Sequence, residues 1–97
     1  MAKGDVVSDV QSISAAAYLD IRPSGTANWK IHNIYHEDEI SIQFYDGTNT
    51  CEFVANETGR GVYAYYAFGV DNTNRIRVQN EAGTAKCIGY DGIITKA

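Results

Sequence analysis

The chain has 97 residues, of which 44% are hydrophobic and 21% are charged, and its formal net charge at pH 7 is −4. This length suits one domain with one core, and the scattered acidic residues leave no basic stripe for phosphates, which argues against nucleic acid as a partner. Residues 1–12 have no apolar run typical of a signal peptide or membrane anchor, so we expect synthesis in a cytoplasm and no membrane partner.

The N-terminal segment, residues 1–12, contains scattered valines but no periodicity and no turn residues. We therefore expect an extended N-terminal arm, followed by one domain over residues 13–97. Residues 13–21 are ambiguous, because three consecutive alanines favour a helix whereas the later apolar residues alternate as in a strand. We expect a strand, ended by Pro23 and Gly25.

The chain after Trp29 consists of short extended segments separated by turn residues about every ten positions. Trp29 and Tyr35 fall on one face of the first segment, and residues 40–45 show the clearest period-two alternation. The pair Asp46-Gly47 is a hairpin signal, and residues 56–61 are expected to form a loop. Further strands are expected around residues 51–53, 62–68, 76–78 and 87–95.

Two details of the later strands follow from their composition. Residues 62–68 are apolar on both faces, which is typical of a central strand, and Asp91-Gly92 inside the last strand indicates a β-bulge. Together, the segments predict an all-β fold. We expect a single antiparallel β-sandwich of jelly-roll or immunoglobulin-like type, with about seven strands, or eight if the arm contributes one.

Cys51 and Cys87 are the only cysteines of the chain. Each falls in an apolar segment, where a free thiol usually behaves as a small buried hydrophobe, and disulfides are rare in proteins that stay inside the cell. A bridge would need Cα atoms within about 7 Å. The sequence does not decide between these states.

Residues with catalytic or metal-binding chemistry are scarce. His32 and His36 would share one face of a helix, but on a strand their Cα atoms lie about 13 Å apart, which is too far for a shared metal ion. The serines have no nucleophile motif. We therefore expect neither an enzyme nor a cofactor or metal site.

Aromatic side chains are the remaining candidates for a binding surface. Tyr63, Tyr65 and Tyr90 are expected to form an exposed strip, of the kind that binds sugars or proteins. The alternative is that they form cross-strand pairs that only stabilise the sheet. Trp29 is expected in the core.

Several blocks of the sequence resemble small β-sandwich virion proteins of tailed bacteriophages. The most distinctive combination is Ile-Arg-Pro followed by Trp-x-Ile-His-Asn-Ile, and the pattern covers most of residues 13–96. The blocks are residues 18–25 (YLDIRPSG), 29–35 (WKIHNIY), 44–49 (FYDGTN), 75–80 (RIRVQN) and 90–92 (YDG).

This resemblance implies a structural role and brings no catalytic residues. It implies a capsid decoration (cement) protein on the capsid exterior, made in the host cytoplasm, with the major capsid protein as partner. A homo-oligomer, by analogy a trimer, is also implied. The alternative is a tail-associated adhesin or carbohydrate-binding module.

The valines of the N-terminal segment suggest how such a protein would attach. They are the main apolar side chains in an otherwise polar stretch, and an added strand supplies main-chain hydrogen bonds without a pocket. We expect four residues to become ordered on a capsid lattice or a sister subunit. They are Val6, Val7, Val10 and Ile13.

Overall fold

The computed structural model describes residues 2–63 and 68–97, and this part of the chain contains nine β-strands and no helix. The strands are β1 (Val6–Ile13), β2 (Tyr18–Ile21), β3 (Asn28–His36), β4 (Ile40–Tyr45), β5 (Thr50–Glu57), β6 (Gly61–Tyr63), β7 (Phe68–Val70), β8 (Arg75–Asn80) and β9 (Lys86–Lys96).

The strands form two sheets that pack against each other. In the five-stranded sheet the order is β1-β9-β3-β6, with β7 also paired to β3, and in the four-stranded sheet it is β2-β8-β4-β5. Every pairing is antiparallel. The predicted all-β class and antiparallel pairing are confirmed.

The core lies between the two sheets and is built largely from β-branched side chains. Strand β8 alternates half-buried with buried residues over its whole length, as expected for a strand with one face on the core. Ile21, Ile31, Ile42 and Ile76 have no exposed surface. Burying each such side chain contributes about 1.5–3 kcal/mol. The buried side chains of the alternating strands are therefore what hold the two sheets together.

Most of the N-terminal segment is a strand of the five-stranded sheet and not a separate arm, which matches the expected case in which the arm contributes an eighth strand. All eight residues of β1 pair with β9 without a register shift. Val7 and Ile13 are buried in the core, although the intervening Asp9 and Gln11 hid this alternation in the sequence. Strand β1 is an edge of the five-stranded sheet.

Two other predicted strands have different limits in the structure. Residues 13–21 are not one strand, because β1 ends at Ile13 and Ala16 adopts a positive φ of 65° in the turn before β2. Strands β6 and β7 both pair with β3 at the border of the five-stranded sheet. The prediction of a central strand over residues 62–68 is therefore wrong for the described residues, and residues 64–67 lie outside them.

A β-bulge in β3 determines which side chains face the core. Ile31 pairs with Gly92 and Asn33 with Asp91, so His32 is an extra residue between them. The sequence correctly placed an irregularity at Asp91-Gly92, but the extra residue belongs to the neighbouring strand. Because one inserted residue reverses the alternation beyond it, the face that begins with Trp29 does not continue to Tyr35.

Candidate docking surface

The outer face of the five-stranded sheet, which is the face turned away from the core, carries a row of apolar residues. Val10 pairs with Gly89, Gly89 with Tyr35, and Tyr35 with Val62. Directly paired residues project on the same side of an antiparallel sheet. The apolar row therefore crosses β1, β9, β3 and β6 in that order.

The side chains of the apolar row are open to solvent. Val10 is 66% exposed, Val62 50% and Tyr35 40%, and Val6, further along β1 on the same face, is 69% exposed. Single exposed hydrophobic residues are common, but several on one continuous face mark a site of interaction with another molecule. The row is the clearest such feature among residues 2–63 and 68–97.

Glycine forms the floor of this face. A Cβ atom on Gly89 would lie 2.7 Å from the carbonyl oxygen of Asp9 and 2.7 Å from a side-chain carbon of Val10. The missing side chain leaves a depression of about 270 Å³ between Val10 and Tyr35, bordered by Cys87 and Arg60. The surface is therefore shallow and concave at its centre.

A polar cluster lies beside the apolar row. The Tyr35 hydroxyl donates a hydrogen bond to one oxygen of the Asp91 carboxylate, and the Asn33 amide donates to the other at 2.8 Å. The hydrogen bond to Asp91 raises the pKa of Tyr35 above its usual 10.0, with burial and the nearby negative charge acting in the same direction. The Asp91 carboxylate therefore holds the Tyr35 hydroxyl and the Asn33 amide together beside the apolar row.

A second depression lies on the same face, towards the N-terminal end of β1. It has a volume of about 340 Å³ and is lined by Val6, Ile93, Gly92 and the bulge residue His32. Val6 pairs with Ile93 and Ile93 with Lys30. The outer face therefore offers two largely apolar depressions, and Asn33 and Asp91 line one side of the second.

The outer face of the four-stranded sheet has a different character. The Arg77 guanidinium lies 4.3 Å from the ring centre of Tyr18 and forms a 3.1 Å ion pair with Asp20. Arg75 lies 4.7 Å from the ring centre of Tyr45. These contacts place the chain's own cations beside the aromatic rings, although Tyr18 remains 39% exposed.

The structure divides the four predicted attachment residues between two environments. Val6 and Val10 project from the outer face and are exposed, whereas Val7 and Ile13 are in the core. The grouping of all four as an attachment segment is therefore wrong for Val7 and Ile13. Period-two alternation on an edge strand accounts for the division.

The predicted tyrosine strip does not form as a set. Tyr90 is only 7% exposed and packs against Trp29, with 6.3 Å between ring centres, so its place in an exposed strip is wrong. Tyr65 lies outside the described residues, as does the side chain of Tyr63, which ends β6. The prediction that Trp29 packs on the core is confirmed.

The cysteines are free, which is one of the states that the sequence left open, but they are not buried as expected of a free thiol in an apolar segment. Cys51 and Cys87 are both exposed and form no disulfide. Cys87 lies on the outer face of β9, paired with Ser12, and its backbone amide donates to the Glu37 carboxylate at 2.9 Å. Cys51 is on β5, at the edge of the four-stranded sheet.

The described residues include no group of three or more His, Cys, Asp or Glu side chains placed to hold a metal ion. His36 is buried, and its Nδ1 lies 3.0 Å from the carbonyl oxygen of Asp38 in the turn that follows β3. Over the same part of the chain, no helix is long and apolar enough to cross a membrane.

Three residues of the apolar row were not identified from the sequence. Tyr35 was assigned to the face of Trp29, because the His32 bulge is not visible in the residue pattern. Val62 was assigned to a central strand, and Gly89 gave no signal by itself. The spacing of Val6 and Val10, which puts both on one face of a strand, was the one available clue.

No protein-family model matches the chain, and no curated protein is significantly similar to it.

Proposed function

We propose that this chain is a structural virion protein, a decoration (cement) protein that binds the outside of a tailed-bacteriophage capsid and stabilises the shell. The observation that carries the proposal is the exposed apolar row of Val10, Gly89, Tyr35 and Val62. Its partner is the major capsid protein, and its location is the virion exterior. The resemblance of the sequence to phage virion proteins supports the same role.

We further propose that the two-sheet fold is a jelly roll. The support is the strand order. The sheets β1-β9-β3-β6 and β2-β8-β4-β5 have the alternating arrangement of an eight-stranded jelly roll if β6 and β7 count as one strand. Jelly rolls are common in viral capsid proteins and in lectins. This is an analogy at the level of the fold, and the functional argument rests on the surface.

The anatomy of the outer face suits a docking role. Interfaces are built around buried aromatic anchors, with polar groups at their margins. Tyr35 supplies such an anchor, since its hydroxyl is already paired with Asp91 and its ring stands beside the depression above Gly89. Binding would bury the ring without leaving the hydroxyl unsatisfied.

Co-sedimentation with capsids that were assembled without the chain tests this proposal. Val62→Lys places a charge in the apolar row, and we expect it to weaken capsid binding at least about tenfold, since an unpaired charge in an interface costs more than 1.4 kcal/mol. Thr50→Lys, at an exposed position of the four-stranded sheet, is the matched control and should bind like the wild type.

The proposal fails if the wild-type chain does not sediment with capsids, or if Val62→Lys and Thr50→Lys bind equally well. A chain that sediments with tails instead would support the tail-associated alternative. Deleting residues 2–12 is not a suitable test, because Val7 belongs to the core and the truncated chain would lose an edge strand.

Carbohydrate binding is the second candidate, because the jelly roll proposed above also occurs in lectins. A glycan array probed with the purified chain tests it. Specific binding that disappears in Tyr63→Ala or Tyr65→Ala would support this function. An array that shows no specific binding would contradict a carbohydrate-binding function.

A further inference from the structure

Strand β1 is the one long and regular edge among the strands that the structure describes. Strand β2 has four residues, β5 contains two register shifts, and β6 and β7 have three residues each. By contrast, β1 pairs over eight residues without a shift, and Asp9 is its only charged residue. Edge strands are usually kept from pairing with another chain because they are short, contain bulges or carry charged residues. Strand β1 has little of this protection.

The hydrogen bonds at the start of β1 show which main-chain groups face the open side. The Gly4 amide donates to the Ile94 carbonyl at 2.7 Å, and the Ile94 amide donates to the Asp5 carbonyl at 3.0 Å. Gly4 has a φ of 91°, which is the geometry of a glycine bulge. The Asp5 carbonyl therefore faces β9, and the direction of the main-chain groups alternates from there on.

This alternation divides the residues of β1 into two sets. The odd-numbered residues from Val7 onward direct their amide and carbonyl groups to β9. The even-numbered residues direct theirs to the open side, where no described strand lies. The residues with open main-chain groups are Val6, Ser8, Val10 and Ser12, and the two valines among them are also the exposed apolar residues of the strand.

We propose that a second copy of this chain pairs with β1 antiparallel, about a two-fold axis at Val10. Hydrogen bonds between two copies of β1 require that residues with main-chain groups on the open side lie opposite one another. An axis at Asp9 would place two Asp9 carboxylates directly opposite each other, and an axis at Val7 would place Asp9 opposite Asp5, both of which are unfavourable.

The axis at Val10 avoids both conflicts and gives the longest remaining overlap, residues 7–13 of each copy. Val10 then lies opposite its own copy, Ser8 opposite Ser12, and Asp9 opposite Gln11. The last pair matches a contact within the chain, where the Gln11 amide donates to Asp9 at 2.6 Å. This pairing is self-complementary, as a two-fold interface must be.

Pairing at Val10 also joins the two apolar rows end to end. The row of one copy runs from Val62 through Tyr35 and Gly89 to Val10, and the row of the second copy continues it from its own Val10. The inference does not depend on capsid binding, because it uses only the main-chain groups and side chains of β1.

Sedimentation equilibrium of the purified chain tests the proposal. We expect twice the chain mass of 10.6 kDa at high micromolar concentration, and the single-chain mass for Val10→Lys, which sets two lysines against each other at the axis. Thr50→Lys is the matched control, since it adds the same charge at an exposed position of the four-stranded sheet, and it should remain a dimer.

Hydrogen exchange of the β1 amides tests the register and shows whether the variant is folded. In the wild-type dimer, the amides of Ser8, Val10 and Ser12 should be protected. In Val10→Lys, the Ser8 and Ser12 amides should exchange rapidly, whereas those of Val7, Asp9 and Gln11 stay protected by β9. If Val10→Lys unfolds, Ser12→Pro serves instead, because it removes only an amide on the open side.

A wild-type monomer or trimer, a dimer that persists in Val10→Lys and Ser12→Pro, or rapid exchange at Ser8 and Ser12 in the wild type would overturn the proposal. Each of these outcomes is independent of capsid binding. A failure of self-pairing and a failure of the proposed function are therefore distinguishable.

Discussion

The glycine at position 92 is required by the close approach of β9 and β3 beside the bulge. A Cβ atom there would lie 2.2 Å from the Lys30 carbonyl oxygen and 2.9 Å from the Ile31 Cα. Both are backbone atoms of a central strand, so neither can move without displacing β3. This single residue allows the strands to pair where His32 is inserted.

Replacing Gly92 by alanine should therefore destabilise the fold. We expect a loss of about 1–3 kcal/mol or more in the free energy of unfolding, as for other overpacked sites, measured by urea denaturation. Gly83→Ala is the control, because no atom lies within 4 Å of its Cβ position. Equal stabilities of the two variants would contradict this explanation of Gly92.

Two turns are stabilised in the same way, by an aspartate side chain that accepts hydrogen bonds from backbone amides. The Asp46 carboxylate accepts hydrogen bonds from the amides of Thr48 and Asn49, and the Asp71 carboxylate accepts from those of Thr73 and Asn74. The backbone amides, led by Asn49 and Asn74, lower the pKa of each aspartate below its usual 3.8. The shared Asp-x-Thr-Asn sequence is a local signal for this turn.

The Asp71 turn should make stability depend on pH. Because the pKa is lower in the folded state, this stabilisation is present above the unfolded pKa of 3.8 and is lost as the pH falls through the folded value. Asp71→Asn should be less stable than the wild type at pH 7, and the difference should shrink in acid. Urea denaturation at both pH values measures it, and a difference independent of pH would contradict the assignment.

Among the elements, the end of β8 connects three parts of the fold through Asn80. This residue has no exposed surface, and its amide nitrogen donates to the carbonyls of Ile13 at 2.8 Å and Thr84 at 3.0 Å. Its side-chain oxygen accepts from the Ala82 amide at 2.9 Å. One side chain thus fixes the end of β1 and the turn between β8 and β9.

Asn80→Ala should leave these buried main-chain groups without partners. We expect a loss of about 1–3 kcal/mol or more in the free energy of unfolding, measured by urea denaturation. Gln79→Ala, at the half-buried neighbouring position, removes only a solvent-exposed hydrogen bond to the Ala16 carbonyl and should cost less, about 0.5 kcal/mol. A near-neutral Asn80→Ala would show that water replaces these contacts.

The sequence predicts those strands whose position is determined by residues close together in the chain. Alternation and turn residues correctly located β4 and β8, because both signals act within a few residues. The bulge at His32 was missed, since it arises from pairing with a strand about sixty residues away in the chain. The docking surface was missed for the same reason, because Tyr35 reaches the outer face only through that bulge.

Across the whole molecule, the two sheets present unlike outer faces. On the four-stranded sheet Arg75 and Arg77 lie beside the tyrosine rings, whereas the five-stranded sheet exposes the apolar row of Val10, Tyr35 and Val62. An apolar face that borders an unblunted edge strand suits a protein that attaches to a larger assembly. This asymmetry is the basis of the proposed decoration of a capsid.

Electron cryomicroscopy of capsids saturated with the purified chain tests this proposal most directly. It predicts density for the chain on the outside of the shell, with the outer face of the five-stranded sheet turned towards the capsid and Tyr35 buried at the contact. Capsids without added density, or a chain bound with the Arg75 and Arg77 face towards the shell, would contradict it.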